Sequence, residues 1–482
     1  MNYAATGTWH RFLDRLFKIE QNATTVKTEL AAGLTTFMTM AYILAVNPQI
    51  LSAAGIPMGG VFVATAIAAV VGTLLMAFIS NYPFVLAPGM GLNAFLAFTV
   101  VLTMGYSWQF ALLAVFVEGL VFLALSLTPV REAIFNSIPF SLKKAVAAGI
   151  GLFICIIAMK TAGLVVDNQA TLVSMVHFTD VPFATHGICA VIALVGTIFT
   201  GLLVVKKVKG AILFGILFSW ALGMAAQALG IYVPDAASGF NSLYPNFSVK
   251  GLEKDFGEFG ATVGALFRPE GWTHTVNGEV VGSGWPLAMS LDFLVVMFSF
   301  FFVDLFGALG TLVGISMKGE FLDKDGRLPR ISGALCADSI ATAAGAVLGT
   351  STTTTYVESA SGVMAGGRTG LTGAAAAALF ALSLVFAPVF LAIPGFATAP
   401  ALIVVGYMML SSCADINWQD AGEALPAFIA VAAMPFTYSI SDGLMLGVIA
   451  YTAINTLSGH FNRIHWIMYI LTALFIAKYA LM

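Results

Sequence analysis

Apolar residues in this chain come in long blocks separated by short polar breaks. This is neither the alternation of a half-buried strand nor the stripe of a soluble amphipathic helix. Blocks of spanning or near-spanning length fall at about 28–46, 59–80, 84–101, 108–128, 144–159, 186–205, 210–230, 287–317, 333–349, 352–366, 371–392, 398–412, 424–436 and 440–457. Each predicts a membrane-crossing helix, because only a helix satisfies its own backbone in hydrocarbon. The expectation is an all-α polytopic membrane protein with fourteen spans. A further apolar stretch, Trp466 to Ala477, is short for a span and reads as an interfacial or capping segment.

Charge supports that count. Charged residues make up 9% of the 482 residues, against roughly 25% in an ordinary soluble domain. With a cytoplasmic N-terminus, sixteen basic residues fall on the inside, including Arg11, Arg15, Lys18, Lys27, Arg131, Lys324, Arg327 and Arg463. Four (Lys160, Lys250, Lys254 and Arg268) fall outside, and Lys478 is unassigned. This is the positive-inside pattern. Phe12, Leu13, Leu16 and Phe17 interleave with Arg11, Arg15 and Lys18, a spacing that suits either a short amphipathic helix on the inner surface or a basic tail. No signal peptide is evident before the first span.

The segments divide as 1–27, a cytoplasmic N-terminal segment; 28–230, seven spans; 231–286, an external loop with six acidic residues; 287–457, seven spans; and 458–482, a C-terminal apolar segment. Seven spans on each side of one external loop give the halves opposite orientations, as in carriers built from inverted repeats. The net charge of −3 argues against a nucleic-acid partner, which would need a concentrated basic face. Four scattered cysteines form no disulfide framework or zinc motif. Gly89 to Ala94 fits GxGxxA but lacks a surrounding βαβ unit, and there is no P-loop, HExxH or GxSxG. No enzyme, metal or cofactor is expected.

Two segments break the helical pattern. Pro83 to Phe95 carries Pro83, Pro88, Gly89 and Gly91, so no helix can start before about Gly89. Thr350 to Ser359 opens on β-branched threonines, which favour extended backbone. They occupy the third and tenth spans, equivalent places in the two halves. Paired interrupted segments point to a transporter's binding site. Ionisable groups within spans are Glu118, Asp292, Asp304, Asp338, Glu358 and Asp442. Glu358 has the strongest claim to function, being placed where the tenth span turns helical. Asp304, among phenylalanines, comes next. Glu118, Asp338 and Asp442 read as helix-to-helix partners and Asp292 as interfacial.

The stretch Ala87-Pro88-Gly89-Met90-Gly91-Leu92-Asn93-Ala94-Phe95 resembles the third-span signature of the AzgA-like adenine, guanine and hypoxanthine permeases, in the nucleobase–ascorbate transporter superfamily. Gly349 to Ser359 followed by Gly366 to Thr372 resembles their tenth-span signature, and the likeness runs over about residues 17–480. It implies two inverted sevens, core and gate domains, and short antiparallel strands in spans three and ten. It also implies proton-coupled purine import at a bacterial inner membrane, driven by the proton gradient. A homodimer is compatible with it. Substrate contacts are expected at Asn93, Glu358, Val357, Gly91, Asp304 and Phe301, with Glu358 and Asp304 as proton-coupling candidates. An aromatic wall could draw on Phe300, Phe301, Phe302 or Phe306. The eighth span departs from the pattern: Phe306-Gly307-Ala308-Leu309-Gly310-Thr311 has glycine where the family has an aspartate. Asp304 lies about 4.5 Å earlier along the axis. An anion exchanger or channel on a related fold is the alternative. It would call for a basic residue near the half-helix ends.

Overall fold

The computed structural model describes residues 8–128, 137–168, 171–235, 239–245, 249–322 and 328–481. Arg131, Lys324 and Arg327 lie outside them. The side chains of Trp9, Lys250, Phe306 and Lys478 are likewise outside the described set.

The protein is an integral membrane protein. Among the described residues, ten helices are long and apolar enough to cross a membrane: Val26–Ser52, Met58–Ile79, Trp108–Ser126, Phe140–Thr161, Phe183–Val205, Ala211–Ala228, Ile331–Leu348, Gly370–Leu391, Gly395–Asp415 and Ile440–Leu457. The other four expected blocks take different forms. One is strand β1 (Leu86–Pro88), a short helix Met90–Ala94 and a π-helix Phe95–Thr103. The second is the 28-residue helix Leu291–Lys318. The third is a strand, Thr353–Thr355, followed by the six-residue helix Ser359–Met364. The fourth is the 16-residue helix Ala421–Phe436. Trp466–Leu481 forms a helix against Ile440–Leu457, where Thr472 donates to Thr452 at 2.8 Å.

The expected external loop is substantially ordered. It contains the helix Val249–Thr262 and a hairpin, with Glu258 accepting from the Gly59 N–H at 2.9 Å. In chain order the remaining strands are β2 (Val165–Asn168), β3 (Leu172–Met175), β4 (Thr273–Val276) and β5 (Glu279–Ser283). They pair as β2–β3 and β4–β5, which leaves Thr353–Thr355 as β6.

Two compact units draw on both halves of the sequence. One comprises Met1–Leu96, Gly105–Pro129 and Leu252–Ala387; the other comprises Ala97–Met104, Val130–Gly251 and Pro388–Met482. The first holds β1 and β6, paired antiparallel with Leu86 opposite Thr355, Ala87 opposite Thr354 and Pro88 opposite Thr353. The pairing extends outward through Gly89 N–H to Thr352 O (2.9 Å) and Tyr356 N–H to Val85 O (3.0 Å).

A two-stranded ribbon has two open edges, and unpaired backbone groups in an apolar interior cost several kcal/mol each, to order of magnitude. Here side chains close both edges. Thr73 Oγ1 lies 3.0 Å from Leu86 N and 3.1 Å from Leu86 O, accepting from the first and donating to the second. Across the ribbon, Thr342 donates to Thr353 O at 3.1 Å. Asp338 Oδ1 accepts from Thr355 N (3.0 Å), Thr355 Oγ1 (3.2 Å) and Thr354 Oγ1 (3.1 Å). Helices reach the strands closely because Gly72 and Gly345 face them. A Cβ on Gly72 would sit 3.2 Å from Leu86 Cβ, and one on Gly345 would sit 2.9 Å from Ser351 O.

In the second unit, Ala145, Ala148, Ala427 and Ala430 pack in one cluster with Ile416. Small side chains at such a contact let helix backbones approach closely.

Candidate functional site

The site grows from the two places where helix gives way to strand. After β1, Gly89 caps a helix that begins at Met90, so Gly91 falls in its first turn and Asn93 one turn on. After β6, Tyr356 and Val357 lead to Glu358, which precedes the helix Ser359–Met364. Tyr356 bridges the breaks by donating its hydroxyl to Pro88 O at 2.5 Å. Asn93 Nδ2 donates to the same carbonyl at 3.3 Å.

The orientation of the Asn93 amide follows from this. A proline carbonyl can only accept, so the amide nitrogen must face Pro88 and Oδ1 must turn away. Asn93 is fully buried, and among the described residues Oδ1 has no hydrogen-bond partner. An unsatisfied buried acceptor costs about 1–3 kcal/mol, which a donor brought to it would offset.

Glu358 is partly exposed and its neighbour Val357 is 56% exposed, so this turn faces open space. Tyr42, fully buried in the bend between Val26–Met40 and Ile43–Ser52, donates to Glu358 Oε1 at 2.7 Å. The phenol fixes one carboxylate oxygen. It also stabilises the anion, since a hydrogen bond to a charged acceptor is roughly twice as strong as a neutral one.

The long helix Leu291–Lys318 packs against β6, Met90–Ala94 and Ser359–Met364. Its aromatic residues divide between two directions. Phe300 meets Phe95 edge-on, with ring centroids 4.9 Å apart. Phe301, expected at the substrate, is stacked on Phe122 at 4.5 Å and is 3% exposed. Phe300, also fully buried, is the ring that adjoins the Asn93 segment through Phe95. The Phe306 side chain lies outside the described residues. Asp304 is fully buried, whereas Gly307 is exposed and, among the described residues, a Cβ there would meet nothing within 4 Å. The two positions have different surroundings, and the glycine position has room for a side chain.

Glu29 has no counterpart in the sequence expectations. It is fully buried, and its carboxylate accepts from the backbone N–H groups of Arg368 (2.9 Å), Thr369 (3.2 Å) and Thr372 (3.2 Å). It also accepts from the Thr369 and Thr372 hydroxyls at 2.9 and 2.6 Å. An acid capping the N-terminus of Gly370–Ser383 satisfies orphan donors and complements the helix dipole. It secures the turn following the Glu358 helix. Glu118 contacts the same region, with Thr352 Oγ1 3.5 Å from its Oε2.

Chemically, the junction offers an amide oxygen, a tethered carboxylate and the first-turn N–H groups of the helix Met90–Ala94; the N–H groups of Ser359, Ala360 and Ser361 are already taken by backbone carbonyls. Such a set suits a flat heterocycle that presents both N–H donors and ring acceptors. Among the described residues, no group of three or more His, Cys, Asp or Glu side chains is placed to hold a metal ion.

A family profile described as "Permease family" matches residues 27–446. The chain is 40% identical over 467 residues to guanine/hypoxanthine permease PbuO of Bacillus subtilis, covering 95% of this chain and 98% of that one. It is 38% identical over 467 residues to adenine permease AdeQ of Escherichia coli, covering 97% and 96%. Among solved structures, it resembles the transmembrane domain of the cyanobacterial bicarbonate transporter BicA, with a TM-score of 0.59, 14% identity, and 87% and 97% coverage. It also resembles the murine anion transporter Slc26a9, with a TM-score of 0.59, 12% identity, and 95% and 74% coverage. At such identities the likeness is one of fold alone.

Proposed function

Because this chain belongs to the AzgA-like adenine, guanine and hypoxanthine permease family of the nucleobase–ascorbate transporter superfamily, we propose that it imports purine nucleobases by proton symport. The reading places it in a bacterial inner membrane, with the N-terminus cytoplasmic and fourteen crossings in two inverted sevens. The proton gradient drives uptake through alternating access. The single observation that carries the reading is the junction at Pro88. There Tyr356, two residues before Glu358 in the chain, and Asn93 converge on one carbonyl.

In this mechanism Glu358 accepts a purine N–H and Asn93 Oδ1 accepts a second. The N–H groups of Gly91 and Val357 reach the ring acceptors, and Phe300 or Phe301 contributes the aromatic side. Glu358 is the foremost candidate to carry the proton, being tethered by Tyr42 yet partly exposed, with Asp304 the other. Purines are the substrates of the named permease relatives at about 40% identity. The solved anion transporters share only the fold, and a carboxylate at the junction disfavours an anion as cargo.

The test is uptake of labelled adenine, guanine and hypoxanthine by cells lacking their own purine permeases. A competition panel then ranks the three bases. Uptake that collapses on adding a protonophore supports symport. Undiminished uptake by a Glu358→Gln variant would remove Glu358 from the mechanism.

A further inference from the structure

The N-terminal helix Thr8–Phe17 takes no part in the site, yet its surface is sharply divided. At about 100° per residue, residues four apart share a face. Leu13 and Phe17 form the docked face. They pack with Ala77 and Leu371, and the Phe17 ring is stacked 5.8 Å from Phe78. The next face carries Phe12 and Leu16, which are 57% and 45% exposed. Beyond it lie Arg11 and Arg15, both exposed, with exposed Lys18 at the helix end. Asp14 completes the circumference and is engaged by the Glu20 N–H at 2.8 Å.

The position of the helix matters as much as its faces. Ala77 and Phe78 lie at the end of the span Met58–Ile79, and Leu371 lies at the start of the span Gly370–Leu391. A helix docked on two span ends lies at the water boundary. The exposed apolar face continues onto Phe78, itself 56% exposed. The order from docked face to apolar face to basic face therefore runs from protein to acyl chain to headgroup. The helix is held there by Asn81, whose Nδ2 donates to Phe17 O and whose Oδ1 accepts from Gly370 N–H, both at 2.8 Å.

We propose that Thr8–Phe17 is an interfacial helix that binds anionic phospholipid through Arg11 and Arg15, with Phe12 and Leu16 among the acyl chains. Guanidinium groups pair with phosphate in bidentate geometry, and long basic side chains reach from apolar surface to the headgroup level. Because Asn81 ties the helix to Gly370, lipid bound here stabilises the corner that Glu29 also secures.

The test compares thermal unfolding of the full chain in phosphatidylcholine nanodiscs with and without phosphatidylglycerol. Phosphatidylglycerol raises the unfolding temperature of the unaltered protein. In an Arg11→Gln/Arg15→Gln variant, the phosphatidylglycerol needed for half the effect rises about fivefold per arginine removed. The two proteins unfold alike in pure phosphatidylcholine, because both side chains are exposed. An equal phosphatidylglycerol response in the variant overturns the proposal. So does stabilisation of the same size by soluble glycerol phosphate in pure phosphatidylcholine discs.

Discussion

The Tyr42 hydroxyl reaches Glu358 Oε1 at 2.7 Å, across 316 positions of sequence. Glu358 is at the exposed end of a six-residue helix, where a glutamate otherwise samples several rotamers. The phenol selects one of them. Tyr42→Phe keeps the ring and its packing while removing only the donor. A lost hydrogen bond to a charged group is worth about 1.5–3 kcal/mol. We expect the KM for purine uptake to rise about tenfold or more at unchanged protein level in the membrane. Concentration-dependent uptake measures it, and an unchanged KM would show that Glu358 needs no tether.

The edges of the β1–β6 ribbon make a second prediction. Asp338→Ala leaves the Thr355 N–H and two threonine hydroxyls without this acceptor, whereas Thr342→Val removes only the donor to Thr353 O. Each buried group left unsatisfied costs about 1–3 kcal/mol. Asp338→Ala should therefore lower the unfolding temperature several degrees more than Thr342→Val. Equal losses would mean that Asp338 does not hold the strand.

Glu29 offers a sharper contrast within one side chain. Its Oε1 accepts one donor and its Oε2 accepts four. Glu29→Gln can keep an oxygen at the crowded position and set its amide against the Arg368 N–H alone. The expected loss is about 1–3 kcal/mol for glutamine and considerably more for alanine. Unfolding of the two variants beside the unaltered protein decides it, and equal losses from both would contradict the capping role.

Gly307 lies where the resembled family has an acid, and among the described residues a Cβ there would meet nothing within 4 Å. Gly307→Asp should accumulate normally and shift the relative uptake of adenine, guanine and hypoxanthine by adding an acceptor. Asp304→Asn, changing a fully buried group, should affect protein yield as well as uptake. Should Gly307→Asp leave the purine ranking untouched, this position lies outside the substrate's reach.

The local breaks were legible because proline, glycine and clustered threonine act on their own backbone. The helix starts at Met90 after the Pro83–Pro88 stretch, and Thr353–Thr355 is extended. The partners that complete those breaks were not legible. Tyr42 is one tyrosine in an apolar block, and nothing local to it indicates a carboxylate 316 residues away. Glu29 sits near a predicted span end, where an acid ordinarily faces water; its burial depends on a turn some 340 residues on. Phe301 illustrates the converse. The phenylalanine cluster marks an aromatic helix face, but which ring meets Phe122 and which meets Phe95 is decided by packing. In 231–286 the Asn277-Gly278 turn signal is present, with φ of +52° and +86°, but it is obscured by proline and acidic composition suggestive of a loop.

Asp420 and Arg463 yield a prediction in pH. Arg463 donates to Asp420 Oδ2 at 2.5 Å, and the Gly422 N–H donates to Oδ1 at 3.0 Å. The Arg463 hydrogen bond, followed by that of Gly422, holds the Asp420 carboxyl below the usual aspartate range. A carboxylate depressed on folding contributes stability in full above its unfolded value of about 3.9, and loses it as pH falls through the lower folded value. Asp420→Asn retains a side-chain oxygen to cap Ala421–Phe436 and removes the charge together with the Oδ2 acceptor that Arg463 uses. The gap in unfolding temperature between the two proteins should be small, because both partners are solvent-accessible. It should narrow below about pH 4 and shrink in high salt. A gap that widened as pH fell below about 4 would have the wrong sign for this ion pair.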